Sequence, residues 1–221
     1  MPLFIIPTPI GNLKDITLRA LECLKSADLI LCEDTRTSGI LLCNFNISNP
    51  KKPFHQHNEH KVLDEVKVLL QANANIALIS DAGTPGISDP GYSLIQLCIQ
   101  EDFPFTVLPG ATALIPALLL SGFPNHEFIY RGFLPLKKGR RTQWEIIAQE
   151  EKTQVFYESP HRIEKVIKEM QIYLQEDRMV AFVREISKMY EETLRCKVKE
   201  LEEKTKMLKT KGEFVIVIAA L

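Results

Sequence analysis

Apolar and polar positions alternate along this chain between short wholly apolar runs and longer amphipathic stretches. Leu3–Ile6, Leu29–Cys32, Ile76–Ile79 and Phe105–Leu108 are brief apolar runs, each followed by loop-forming residues, and they predict buried strands. Between them Leu18, Leu21 and Leu24 share one helical face, and Val62, Val66, Leu69 and Leu70 share another. Such alternation predicts βαβ units around a parallel sheet. The second half has strand patterns at Phe128–Phe133, Gln154–Tyr157, Met179–Glu185, Glu191–Cys196 and Phe214–Ala219, the third and fourth close enough for antiparallel pairing. A helix bearing Ile163, Val166, Ile167, Met170 and Leu174 lies among them. Gly and Pro cluster at Ser121–Asn125, so the expected architecture is two α/β lobes, residues 1–120 and 121–221, with a cleft between them. The first lobe carries a parallel sheet and the second a mixed one.

Composition narrows the field. A net charge of −1 on 221 residues gives no global attraction to nucleic acid, so any polyanion partner needs a local patch. The five cysteines are odd in number and widely spaced without a CxxC pair, which predicts buried free thiols in a reducing compartment. The opening "MPLFIIPTPIGN" has no basic leader region and is too short to span a bilayer, and Ala111–Leu120 is interrupted by Thr112 and Pro116. The expectation is a soluble cytoplasmic protein with no membrane partner.

Four loops of unusual composition follow the first-half strands: Pro7–Asn12, Glu33–Gly39, Ser80–Gly91 and Pro109–Ala113. In an open parallel sheet such loops gather beyond the strands' carboxyl ends, where ligands bind. The third, "SDAGTPGISDPG", matches neither GxGxxG nor a phosphate-binding P-loop, and has no GxSxG nucleophile spacing. It carries Asp81 and Asp89 with no local cation, so a polyphosphate would meet repulsion. A cationic ligand read by bare backbone suits it better, such as a sulfonium with an α-amino group, as in S-adenosylmethionine. The plainer alternative is a turn-rich loop whose aspartates cap a helix.

Other motifs carry chemistry of their own. "LPLKKGRRTQ" groups Lys137, Lys138, Arg140 and Arg141 around Gly139, as a polyanion footprint or a solvated loop, and Lys51–Lys52 is a smaller cluster. "FHQHNEH" offers His55, His57, Glu59 and His60, but no further ligand set matches, and a polar helix start is the better reading than a metal site. Glu158 with Arg162, and Arg184 with Glu185, read as salt bridges or as cleft-facing groups. Gly212 permits a close ligand approach or only a turn.

Together the motifs resemble one family. They are "IPTPIGNL" (Ile6–Leu13), "EDTR" (Glu33–Arg36), "HNE" (His57–Glu59), "ALISDAGTPGISDPG" (Ala77–Gly91), "LPG" (Leu108–Gly110), "GFLPLKKGR" (Gly132–Arg140), "FYESPHR" (Phe156–Arg162), "REISK" (Arg184–Lys188) and "KGEFV" (Lys211–Val215). In this order, over nearly the whole chain, they are similar to the ribosomal RNA small-subunit methyltransferase I family, a branch of the tetrapyrrole (corrin/porphyrin) methylase superfamily. The resemblance implies a two-lobed tetrapyrrole-methylase-like fold, a homodimer, and S-adenosylmethionine-dependent 2′-O-methylation of a cytidine in the decoding region of 16S ribosomal RNA, free or in the 30S subunit. Many members continue past the "KGEF" strand, whereas this chain stops at Leu221; if that further segment helps hold RNA, the expectation is that the dimer and the Lys137–Arg141 loop do so here.

The roles that follow are expectations. Pro9 and Gly11 shape the floor of the cofactor site; Ser80, Asp81, Ala82, Gly83, Gly86, Ile87 and Ser88 cradle the cofactor, with Asp81 near its cationic end. Ala111, Thr112, Ala113, Tyr157, Glu185, Ile186 and Gly212 close over the adenosine. Asp34, Arg36, His57 and Glu59 position or deprotonate the hydroxyl, with Glu59 or Asp34 as base. Lys137, Lys138, Arg140 and Arg141 hold RNA, and no metal is expected. Two readings compete: methylation of a tetrapyrrole, and a non-catalytic cofactor-sensing RNA-binding module that binds cofactor without turnover.

Overall fold

A computed structural model describes residues 3–221. Met1 and Pro2, at the start of the expected first lobe, lie outside the described residues. The chain forms two compact units, one up to Thr112 and one from Ala113 to Leu221.

The first unit is built on five strands, β1 (Leu3–Ile5), β2 (Leu29–Cys32), β3 (Lys51–Pro53), β4 (Ile76–Ile79) and β5 (Phe105–Val107). Its helices are α1 (Leu18–Ser26), α2 (Thr35–Asn44), α3 (Glu59–Gln71) and α4 (Tyr92–Gln100). The strand order is β3-β2-β4-β1-β5 and every pairing is parallel. Period-two alternation divides each strand between two apolar layers. Ile30, Cys32, Ala77 and Ile79 pack on Leu24 and Leu42, while Leu31, Ile76 and Leu78 pack on Val62, Val66 and Leu94.

The second unit carries α5 (Leu114–Ser121), β6 (Phe128–Phe133), α6 (Arg140–Gln149), β7 (Thr153–Glu158), α7 (Ile163–Tyr173), β8 (Met179–Arg184), β9 (Glu192–Lys197), α8 (Leu201–Lys204) and β10 (Phe214–Ile218). Its sheet runs β6-β7-β10-β8-β9, with β6 and β7 parallel and the other neighbours antiparallel. The expected parallel and mixed sheets are both present.

Several expectations need correction. β3 was not anticipated, because Lys51, Lys52 and Pro53 do not resemble a strand; as the edge of the sheet it tolerates charge and a missing N–H. Glu33–Gly39 is not one loop, since Asp34 accepts the Arg36 N–H and α2 starts at Thr35. The helix Leu114–Ser121 packs on β8 and β10, so it falls in the second unit rather than at the end of a domain spanning 1–120. Leu18 is 80% exposed, and α1 buries Ala20, Cys23 and Leu24 instead. Four cysteines are buried free thiols, but Cys43 is exposed.

One buried cation holds the second unit together. Arg178 donates to Ala219 O at 3.0 Å, Ile147 O at 3.1 Å, Ala148 O at 3.0 Å and Glu150 O at 2.7 Å. Ile147 and Ala148 are last-turn carbonyls of α6; the Glu150 N–H reaches Ile147 O, and the guanidinium adds to it, closing that helix end and tying it to the residue after β10. Burial pushes the Arg178 pKa down, yet the four carbonyls satisfy the charge. Arg178→Met takes the donor from all four acceptors, of which Ile147 O keeps others in the Glu150 N–H and Gln154 Nε2, and should cost about 2–4 kcal/mol. Urea unfolding should show a lower midpoint at unchanged slope; an unmoved midpoint would refute this role.

Candidate functional site

The loops beyond the carboxyl ends of the first sheet are joined to one another by hydrogen bonds. Pro7 and Pro9 have no N–H, so Thr8 supplies the one backbone donor of that triplet. Its N–H donates to Gly83 O and its carbonyl accepts the Gly83 N–H, both at 2.9 Å. Its hydroxyl donates to Ser80 O at 3.0 Å. Gly83 sits at φ +83°, where a side chain would be strained. Thr84 Oγ1 donates to Ala111 O at 3.0 Å, which fastens the third loop to the fourth. A Cβ on Gly110 would come within 2.8 Å of the Pro7 ring, so the fourth loop lies against the first. Asp34 N donates to Asp81 Oδ1 at 3.2 Å and brings in the second. Pro9, Gly11, Ser80, Asp81, Ala82, Gly83, Gly86, Ile87, Ser88, Ala111 and Thr112 all lie on these loops. The cap of α4 is Gly91, which has no side chain, and Asp81 binds a backbone N–H from another loop; the helix-capping alternative therefore does not describe Asp81.

Charge at this edge is unbalanced. Partial burial raises the Asp81 pKa, and the negative Asp34 adds to the rise against the Asp34 N–H it accepts. Burial likewise raises Glu33, with Asp81 adding and the Asp81 backbone and His55 opposing. Asp34 goes the other way, to about 2, because the Arg36 side chain and N–H both donate to it. That ion pair is 2.8 Å long and the arginine is 90% exposed. A cation arriving beside Asp81 and Glu33 would relieve their repulsion.

The "HNE" segment opens α3 as expected. Asn58 accepts the His55 N–H at 2.8 Å and donates to Pro53 O at 2.9 Å, and Glu59 accepts the Ser93 hydroxyl at 2.9 Å. His57 is exposed and its N–H donates to His55 Nδ1. Thr8 and Glu33 had not been singled out. Thr8 was legible as the donor between two prolines, and Glu33 as the first polar residue beyond β2.

In the second unit, Tyr157, Glu185, Ile186 and Gly212 fall at the ends of β7 and β8 and just before β10, along one sheet edge. Gly212 serves Glu185: at φ +99° its Cβ would lie 2.6 Å from Glu185 Cδ. Glu185 N donates to Glu213 O at 3.0 Å, Glu213 N returns a bond to Glu185 Oε1 at 2.9 Å, and Lys188 reaches the same oxygen at 3.0 Å. Partial burial raises the Glu185 pKa, but the Glu213 N–H and Lys188 outweigh it and leave it lowered. Ala113 caps α5.

The basic loop divides. Lys137 and Lys138 are exposed. Arg140 is only 4% exposed; it pairs with Glu169 at 2.6 Å and Glu158 at 3.5 Å and donates to Pro135 O at 2.9 Å. It cannot present itself to RNA as expected. Gly139, at φ +81°, caps α6, and the helix then turns Arg140 inward and Arg141 outward, where Arg141 pairs with Glu145 at 2.8 Å. Glu158 also holds Arg162 at 2.5 Å, whereas Arg184 pairs with Glu192 at 3.4 Å and not with Glu185. No cluster of three His, Cys, Asp or Glu able to hold a metal occurs among the described residues.

A family model for Tetrapyrrole (Corrin/Porphyrin) Methylases matches residues 2–202. A "Ribosomal RNA small subunit methyltransferase I" from Synechocystis sp. is 44% identical over 98% of this chain and 78% of its own length. Proteins of the same name from Hydrogenobaculum sp. and Thermotoga maritima are 42% and 41% identical, covering 99% and 98% of this chain and 96% and 97% of their own. The chain belongs to the ribosomal RNA small subunit methyltransferase I family. Solved tetrapyrrole methylases share the family's fold. A cobalt precorrin-4 methyltransferase aligns at TM-score 0.71 with 18% identity, covering 99% of this chain and 94% of its own. A uroporphyrin-III C-methyltransferase from Thermus thermophilus, complexed with S-adenosyl homocysteine, aligns at 0.66 with 18% identity, over 99% and 97%.

The electrostatics of the loop edge give a signed expectation. An acid whose folded pKa is raised favours the folded state when protonated, so that share of stability is lost as pH climbs from about 4 through the raised value. Asp81→Asn keeps an acceptor for Asp34 N–H and removes the charge. It should raise the thermal midpoint of the ligand-free protein at pH 7 and flatten its pH dependence. A fall in the midpoint at pH 7 would contradict the crowding.

Proposed function

We propose that this protein methylates 16S ribosomal RNA of the small subunit, using S-adenosylmethionine, at the 2′-hydroxyl of a cytidine in the decoding region. The observation that carries the reading is the loop edge of the first sheet, where glycine backbone lies beside Asp81 and Glu33, with Arg36 already engaged by Asp34. These residues fit a ligand with two positive groups and a polar nucleoside. Membership of a family whose relatives are named for the small-subunit RNA supplies the acceptor. The cofactor supplies a methyl group on a sulfonium. Ser80, Asp81, Ala82, Gly83, Gly86, Ile87 and Ser88 would hold it, with Pro9, Gly11 and Ala111 around them.

Methyl transfer to a hydroxyl requires in-line alignment and removal of one proton. Asp34 is a poor base: its carboxylate binds Arg36, caps α2 and has its pKa drawn to about 2. Asp34 and Arg36 therefore order the α2 start, and His57 contributes to the acceptor side. Proton removal falls to Glu33, whose pKa is raised, or Glu59, which uses Oε2 on Ser93. Glu33→Gln and Glu59→Gln separate the two. The base is the one whose variant loses about 10²–10⁴-fold in turnover with cofactor affinity preserved. Unchanged turnover in both would remove the assignment.

Lys137 and Lys138 form the polyanion contact, with Arg141 beside them. Reversing both lysines should weaken RNA binding and reduce the salt slope by roughly 0.7–0.9 per lost phosphate contact. We assign the protein to the cytoplasm and to a homodimer, following the family resemblance; light scattering in solution checks the latter. Among the described residues no helix is long and apolar enough to cross a membrane. Incubation with radiolabelled S-adenosylmethionine and purified small subunits, followed by mapping of the label, tests the whole reading. Label on a cytidine ribose supports it, and cofactor binding without label overturns it.

A further inference from the structure

The segment "KTKMLKTK" places Lys204, Lys206, Lys209 and Lys211 within eight residues, and nothing in the proposed chemistry uses them. Its later part borders a cavity of about 530 Å³ in the second unit, lined by Arg184, Glu185, Tyr190 and Leu208–Gly212. Leu208 is buried and gives the cavity an apolar wall. Tyr190 is 62% exposed, with Lys209 Nζ 5.8 Å from its ring centroid.

The walls of this cavity are fixed from inside. Arg184 is buried and donates through Nε to Lys211 O at 2.7 Å and through Nη1 to Tyr190 O at 2.9 Å. One guanidinium thus sets the aromatic wall and the lysine wall in register. The charges on the cavity do not cancel. Arg184 is balanced by Glu192, and Lys188 bridges Glu185 and Glu213 at 3.0 and 3.1 Å. Lys209 and Lys211 are exposed and form no ion pair among the described residues. A charge run is usually a solvated face. Here it borders a cavity with an exposed aromatic ring and a buried arginine that joins both walls.

We infer that this cavity is a second RNA contact, in which a single-stranded segment stacks one base on Tyr190 and sets its phosphates on Lys209 and Lys211. Stacking on an aromatic ring beside a basic groove is the general solution for single-stranded nucleic acid, and it tolerates sequence. Lys188 meets two carboxylates, which leaves one negative charge against Lys209 and Lys211 and the cavity net positive. The inference rests on the RNA reading of the function, and its test separates the two.

The probes are a single-stranded oligouridine and the purified small subunit, titrated by fluorescence anisotropy at several salt concentrations. Lys209→Glu combined with Lys211→Glu should weaken oligouridine binding and lower the salt slope by about 0.7 per contact. Tyr190→Ala should weaken it about tenfold, and Tyr190→Phe should restore it. Cofactor affinity and thermal midpoint should stay at wild-type values in all three. Ultraviolet cross-linking should attach RNA to a peptide containing Tyr190. If the wild-type protein neither binds nor methylates the small subunit, the functional reading fails. If it does both while the Tyr190 and lysine variants bind RNA normally, this contact alone is refuted. A change confined to cofactor affinity would also refute it, by giving the cavity to the cofactor.

Discussion

The two-way backbone pair between Thr8 and Gly83 is the constraint on which the loop edge of the first sheet depends. Proline on both sides of Thr8 fixes the direction of the chain and leaves one N–H in the triplet to be satisfied. Gly83 meets it with both of its backbone groups, which its left-handed φ allows. The Thr8 hydroxyl then takes Ser80 O, and the next residue along, Thr84, takes Ala111 O. A glycine-rich segment, which would otherwise sample many conformations, is held at several points with little side-chain mass. That leaves short-range backbone access for a ligand and aims Asp81 at Asp34.

Pairing distinguishes the charges that hold this fold from those that wait for a ligand. In the second unit Glu158 is shared by Arg140 and Arg162, and Glu169 takes Arg140 through a close bidentate contact. Such groups are expensive to bury and persist because each meets a partner. At the first-unit edge the balance is different. Asp81 and Glu33 both have raised pKa values, since partial burial and neighbouring carboxylates together outweigh the backbone N–H groups and, at Glu33, the opposing His55. Carboxylates with perturbed pKa values cluster at functional sites, though structural networks shift them as well. The repulsion is held in place by the same backbone bonds that order the loops.

Much of the fold was legible in the sequence because period-two alternation and glycine punctuation have direct physical causes. β2, β4 and β6 lie where the apolar pattern placed them, and the gathering of loops at one edge follows from parallel strands. β3 was hidden because an edge strand needs no apolar face. α5 was misplaced because its apolar residues say that it packs but not on which sheet. The loop "KKGRR" looked like four equivalent cations, but a left-handed Gly139 starts α6 inside the run, and successive helical residues then differ by about 100° in direction. Arg140 consequently points inward. Gly212 read as a close approach to a ligand or only a turn, and its missing Cβ makes room for the Glu185 side chain.

The division between arginine and lysine explains why counting basic residues misjudges this protein. Arg178 binds four carbonyls, Arg184 two, and Arg195 reaches Leu120 O and Ser121 O at the end of α5. Arg140 and Arg162 grip Pro135 O and Leu134 O, at the root of the lysine loop. A planar fork with five donors can satisfy several fixed acceptors at once, so arginine is used inside as a clamp on backbone. Lysine, a strongly hydrated point charge on a flexible stem, reaches solvent at Lys137, Lys138, Lys209 and Lys211, while Arg36 and Arg141 are exposed as well. Lys137 and Lys138 extend from a loop whose root two arginines hold, and Lys209 and Lys211 from a wall that Arg184 holds. These lysines on prearranged backbone, with the exposed Arg141 beside two of them, show how a chain with net charge −1 can carry local RNA contacts.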